Sequence, residues 1–96
     1  MTTRGGTERT NWHLEFHRRA QRDAKLVQRS GLKGTVEELL ALLERDPFES
    51  PPPFEKLTGN MSGAFSRRLN IQHRLVYEVL PDERIVRILR MWSHYD

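Results

Sequence analysis

The side chains best suited to chemistry gather in the second half of the chain: Glu55 after a run of prolines, the pair Arg67 and Arg68, His73 with Arg74, and His94 with Tyr95. A carboxylate or an imidazole can take a proton, a guanidinium can hold phosphate oxygens in its fork of N–H donors, and an imidazolium can return a proton to a leaving group. These are the parts needed to cleave an RNA phosphodiester through its own 2′-hydroxyl. A plainer reading stands beside this one. A Glu next to Lys56 is commonly solvated, paired arginines commonly form the outer face of a strand, and a His-Tyr near a terminus commonly frays. Residue type alone leaves both readings open.

Other chemistries find no support. There is no Gly-rich phosphate loop, no nucleophile elbow, no HExxH and no carboxylate cluster with metal-ligand spacing. The cysteine count of zero removes disulfides, thiolate zinc sites and Cys nucleophiles together. Neither a metal nor a cofactor is expected. Sixteen Lys and Arg against thirteen Asp and Glu give a net charge of +3, and thirteen of the basic residues are Arg. The excess is uneven, because segments 1–34, 35–58 and 59–96 carry +5, −4 and +2. No acid lies between Gly59 and Tyr77, so Arg67, Arg68 and Arg74 share a positive stretch. Such a field permits contact with a nucleic-acid backbone without requiring it. No stretch is apolar enough to span a bilayer or to form a signal-peptide core, and a cytoplasmic location is expected.

The elements that must position these residues follow from periodicity. At 96 residues the chain makes one domain, 11–96, after a polar lead over 1–10 that is expected to be flexible. Asn11 to Phe16 alternates like a half-buried strand, and His17 to Ser30 reads as a helix stopped by Gly31. Thr35 with Glu38 predicts a capping box opening a second helix, whose stripe is Val36, Leu39, Leu40, Leu42 and Leu43 and whose end is Asp46-Pro47. The proline-rich run PFESPPPFEK then returns the chain as an ordered loop, and Gly59 to Gly63 forms a turn.

Phe65–Leu69, His73–Leu80 and Arg84–Trp92 read as strands, joined by Asn70-Ile71-Gln72 and Pro81-Asp82-Glu83 into an antiparallel meander. Within the last strand, strict alternation sets Arg84 and Arg90 with Val86, Ile88 and Trp92, and makes Arg87 interrupt an apolar face of Ile85, Leu89 and Met91. Trp12, Phe16, Phe48, Phe65 and Tyr77 are expected in the core. The order β-α-α-β-β-β predicts an α+β fold with two N-terminal helices on one face of a small, four-stranded, mainly antiparallel sheet.

The strings DPF, PPFEKLTGNMSGAFSRRLN, QHRLVYEV and RMWSHY, between Asp46 and Tyr95, resemble the Txe/YoeB toxins of the RelE-like (RelE/ParE) superfamily. The resemblance is specific from Pro47 onward, weaker through the helices, and agrees with the element order. It implies a RelE-like toxin of a type II toxin-antitoxin system. The implied activity is a ribosome-dependent mRNA endoribonuclease that blocks translation, works without metal and leaves a 2′,3′-cyclic phosphate. The implied partners are a YefM/Axe-like antitoxin, the 70S ribosome and mRNA, and a homodimer is compatible with it. Carried over by position, Glu55 matches the general base, Arg74 the phosphate-stabilising arginine, His94 the general acid and Tyr95 the tyrosine that positions RNA. Arg67, Arg68 and His73 match RNA-binding positions. Two departures stand out: Lys56 follows Glu55 where many members have proline, and Ser93 separates Trp92 from His94. The alternative on the same scaffold is a non-catalytic ParE-like toxin that binds a protein target such as DNA gyrase. That branch has no use for Glu55, Arg74, His94 and Tyr95 together.

Overall fold

The computed structural model describes residues 11–93; the lead over 1–10 and His94, Tyr95 and Asp96 lie outside the described residues. The chain opens with strand β1 (His13–Phe16) and helix α1 (Arg18–Ser30). His17 adopts an extended backbone and its Nδ1 accepts the Arg19 N–H at 3.1 Å, so this imidazole caps the helix. Gly31, at φ 83°, closes it in the left-handed region, as expected of a glycine stop. Helix α2 (Lys33–Arg45) begins two residues before Thr35. The predicted capping box is therefore not used. Leu32 packs against the core and its carbonyl accepts the Val36 N–H at 2.9 Å, so apolar packing sets the start of α2 and draws Thr35 into its first turn. Asp46 ends α2 just ahead of Pro47, as expected.

Four further strands follow: β2 (Glu55–Lys56), β3 (Ala64–Arg68), β4 (Arg74–Leu80) and β5 (Ile85–Ser93). The sheet order is β1-β5-β4-β3-β2, with β1 parallel to β5 and every other pair antiparallel. Two helices on a mainly antiparallel sheet match the α+β expectation, and the sheet has five strands where four were expected. The addition is β2, whose two residues are too few to show any alternation in a sequence.

Ala20, Val27, Val36, Leu39 and Leu43 from the helices meet Leu75, Tyr77, Val86 and Ile88 from the sheet. Tyr77 lies fully within this core, and Trp12 and Phe65 pack against it half-buried. Phe16 and Phe48 do not join it, being 37% and 44% exposed. The inward face of β5 also differs from strict alternation. Tyr77 pairs with Ile88, Val76 with Arg90 and Arg74 with Ser93, so β5 holds one extra residue in each interval. These bulges turn Met91 inward beside Val86 and Ile88; ahead of them alternation holds, with Ile85 half-buried and Arg87 on the face opposite Val86 and Ile88, bonded to Glu15 and Glu78.

The bulged end of β5 needs other support, because β1 reaches only as far as Ile88 before the chain turns into α1. Asp23 of α1, 5% exposed, supplies it. Its Oδ2 accepts the N–H groups of Met91 and Trp92 at 2.9 and 3.2 Å, and its two oxygens take Nε and Nη2 of Arg90 at 2.8 and 3.3 Å. One carboxylate thus replaces a missing strand neighbour and neutralises the nearest cation. Asp23→Ala leaves two backbone donors and Arg90 without these bonds, and we expect a loss of about 3 kcal/mol in urea unfolding. A change under about 0.5 kcal/mol would contradict this role.

Candidate functional site

The proline-rich loop crosses the helix side of the sheet and delivers β2 to the outer edge of β3. What holds it there is Arg67. Alternation along β3 points Phe65 and Arg67 inward and Ser66 and Arg68 to the helix-free face. Arg67 is 1% exposed, and its guanidinium donates to the Pro47, Glu49 and Pro52 carbonyls at 3.0, 2.9 and 2.7 Å and to the Tyr77 hydroxyl at 3.1 Å. Tyr77 in turn donates to the Pro47 carbonyl at 2.9 Å. Phe54 covers the guanidinium, with its ring centroid 4.9 Å from Cζ. The expectation that Arg67 touches RNA is therefore corrected: its donors are committed inside the protein.

His73 is corrected in the same way. It is 5% exposed, and its ring stacks on Trp92 with centroids 3.7 Å apart and planes 22° from parallel. It braces the end of β5 where RNA contact was expected.

On the helix-free face the structure brings together Glu55, Ser66, Arg68 and Arg74. Glu55 pairs across strands with Ser66, and Arg68 lies directly opposite Arg74. Arg74 Nη1 donates to Glu55 Oε1 at 2.9 Å and to Ser66 Oγ at 3.4 Å. The guanidinium is mostly covered, at 19% exposure, while the carboxylate is 63% exposed. Lys56, one residue on, faces the other side of β2 beside Leu57, Thr58 and Phe65. The cation next to Glu55 is therefore Arg74.

Asn70 shapes the turn above, its Oδ1 accepting the N–H groups of Gln72 and His73 at 2.8 and 2.7 Å. At the tip, Ile71 is 93% exposed. The result is a groove of about 530 Å³ lined by Pro53, Glu55, Ser66, Arg68, Asn70 and Arg74 among others. Of its two facing arginines, Arg74 carries the Glu55 carboxylate. Like charges directly opposite on a sheet are destabilising, and an anion relieves that repulsion. Among the described residues no three His, Asp or Glu side chains gather to hold a metal ion.

β5 ends opposite Arg74, at Ser93. The next residues, His94 and Tyr95, lie outside the described residues. Sequence reasoning missed Ser66, Asp23 and the inward role of Arg67. Alternation along β3 could have separated Arg67 from Arg68; nothing in the sequence pairs Asp23 with β5.

A model of the "YoeB-like toxin of bacterial type II toxin-antitoxin system" matches residues 9–95. The chain belongs to this family. Toxin YoeB of Synechocystis sp. is 38% identical over 87 residues, 88% of each chain. A YoeB/ParE toxin from Agrobacterium tumefaciens superposes with a TM-score of 0.78 at 27% identity, covering 86% of this chain and 99% of that one. YoeB of Staphylococcus aureus, 33% identical and covering 88% of this chain, has been solved in a YoeB-YefM complex (TM-score 0.73, 98% of that chain) and as a dimer (0.75, 99%).

Two tests follow from the buried arginine. Arg67→Ala leaves three carbonyls and a hydroxyl without their donor, and should lower unfolding free energy by about 3 kcal/mol; Arg68→Ala should change it by less than about 0.5 kcal/mol. Equal losses in urea titrations would contradict the assignment. Burial also pushes the Tyr77 hydroxyl above its ordinary value of 10.0, against the opposing hydrogen bond and charge of Arg67. A raised acid stabilises the fold below its unfolded value and loses that contribution as pH climbs through the folded one. Wild-type stability should therefore fall above about pH 10, and Tyr77→Phe, less stable at neutral pH, should lack this component. Parallel pH profiles would contradict it.

Proposed function

We propose that this toxin is an mRNA endoribonuclease acting on message held in the ribosome. The observation that carries this reading is the pairing of Arg68 and Arg74 across one sheet face, with the Glu55 carboxylate bonded to Arg74. A scissile phosphate entering the groove takes the place of that carboxylate on Arg74, whose fixed donors stabilise the charge that grows on the phosphoryl oxygens. Glu55, exposed and within hydrogen-bond reach of the same position, accepts the proton of the neighbouring 2′-hydroxyl. The 2′-oxygen bonds to phosphorus as the bond to the 5′-oxygen breaks. His94, the residue after Ser93 in the sequence, protonates the departing oxygen, and Tyr95 positions the RNA. The products are a 2′,3′-cyclic phosphate and a 5′-hydroxyl, formed without a metal. Arg68 holds the adjoining backbone.

The groove of about 530 Å³ is lined by few residues, and in-line attack calls for a scaffold that orients the strand. In this reading the ribosome is that scaffold, and the toxin works in the cytoplasm. For inhibition, the family and the S. aureus YoeB-YefM complex support a YefM-like antitoxin, and the S. aureus dimer supports a homodimer. An apolar groove of about 430 Å³ between α1 and α2, lined by Ala24, Val27, Val36, Leu40 and Met91 among others, offers an amphipathic antitoxin segment a seat.

Primer extension on message in a purified translation system tests the nuclease reading. Wild-type toxin should produce new 5′ ends; Arg74→Ala and His94→Gln should each reduce them roughly a hundredfold or more. Uncut message, or full activity in Arg74→Ala, overturns it. Inhibition of gyrase supercoiling with message intact would favour the ParE-like alternative.

A further inference from the structure

We propose that the exposed face of α1 is a second RNA contact, a straight basic stripe that lies along the phosphate backbone of a base-paired RNA. The inference shares with the reading above only the premise that the chain is directed at RNA. Arg18, Arg22, Lys25 and Arg29 follow one another at steps of four, three and four. At 100° and 1.5 Å per residue these four positions fall within about 60° of arc along about 16 Å of helix. Arg19 flanks them, and all five are exposed.

The one acid of α1, Asp23, points inward and is committed to Arg90 and the β5 amides. Among the described residues the ion pairs involve Arg45, Arg74, Arg87 and Arg90, and none reaches the five cations of α1. The fold gains nothing from this arrangement. Like charges three and four residues apart weaken a helix, and arginines in the first turn oppose the positive end of its dipole. There, with no acid in that turn, His17, Arg18, Arg19 and Arg22 line a depression of about 570 Å³. A field built at the expense of helix stability fits a polyanion that neutralises it.

The shape and chemistry select the kind of polyanion. The stripe is convex, and Leu26, 42% exposed, is the one large apolar side chain of α1 with notable exposure. A protein partner would need apolar anchors, which lie instead in the separate groove between the helices. A single-stranded RNA would need aromatic platforms for its bases, and α1 carries no aromatic residue. A duplex asks only for a rigid row of donors along its phosphates, and four of the five cations are Arg, whose fork suits phosphate. The stripe also shares no residue with the Glu55–Arg74 groove, which opens on the opposite face of the sheet. Folded RNA on α1 and a message strand in the groove can therefore be held together.

The test is binding of the full chain to a fully paired RNA hairpin across about 50 to 200 mM salt. The variant carrying Arg18→Gln, Arg22→Gln, Lys25→Gln and Arg29→Gln keeps a good helix former at every position, and circular dichroism checks its fold. We expect affinity roughly a hundredfold weaker and a slope of log K against log salt shallower by about 3 to 4. Arg22→Gln or Arg29→Gln alone should lower the slope by about 1. Unchanged affinity and slope overturn the proposal. So does a loss confined to an acidic peptide such as polyglutamate, or to anionic vesicles, with hairpin binding intact. If the stripe binds hairpin but message stays uncut, the nuclease reading fails and this one stands; cut message with stripe-independent hairpin binding gives the reverse.

Discussion

The working edge of this molecule depends on one buried guanidinium. Arg67 gathers three carbonyls from a loop between α2 and β2 that has no helix or strand of its own, and fixes them to the Tyr77 hydroxyl in the centre of the sheet. Phe48, Phe54, Phe65 and Tyr77 pack around it with neighbouring ring centroids 5.4 to 6.0 Å apart. A buried charge is tolerable only when its donors are met, and a planar fork meets several carbonyls at once where an ammonium could not. Because the loop is held, the two-residue strand β2 can pair with β3, and Glu55 stands within 2.9 Å of Arg74.

The pleat of β3 gives adjacent arginines opposite roles. Arg67 turns into the protein and builds the platform; Arg68 turns out and faces Arg74 across the strands. Arg74 is bonded to one exposed carboxylate, which leaves a small site with a covered cation and an accessible acceptor. A second buried ionic group does comparable work at the other end of the sheet. Asp23 takes over the amides that β1 leaves behind, so that β5 continues past its bulges to Ser93. His73 and Trp92 stack between the two regions. Both ionic groups act through backbone atoms, binding a loop carbonyl or a strand amide, and so convert side-chain charge into chain path.

Much of this was legible in the residues. Helix α1, its glycine stop, the end of α2 at Asp46 and the β3–β5 meander follow from period and turn residues, and Glu55, Arg68 and Arg74 are among the residues that such a meander can bring together. What was not legible depends on contacts distant in sequence. Two residues cannot display a strand period, so β2 was invisible. Arg84, Arg87 and Arg90 at every third position fitted neither a helix nor a flat strand, because Arg84 lies in the turn before β5 and a bulge separates Arg87 from Arg90. Thr35 and Glu38 spelled a capping box, but the packing of Leu32 started the helix earlier. Arg67 and His73 were expected to contact RNA because a sequence carries no sign of which carbonyls or rings a side chain will meet tens of residues away.

With Glu55 and Arg74 acting as proposed, RNA is cleaved through its own 2′-hydroxyl. The most direct measurement is the chemical identity of the ends left on message by wild-type toxin on ribosomes, read by ligation and phosphatase treatment of the fragments. A 2′,3′-cyclic phosphate with a 5′-hydroxyl is the predicted result. Fragments bearing a 3′-hydroxyl and a 5′-phosphate would contradict it, since water rather than the 2′-oxygen would then have attacked the phosphorus.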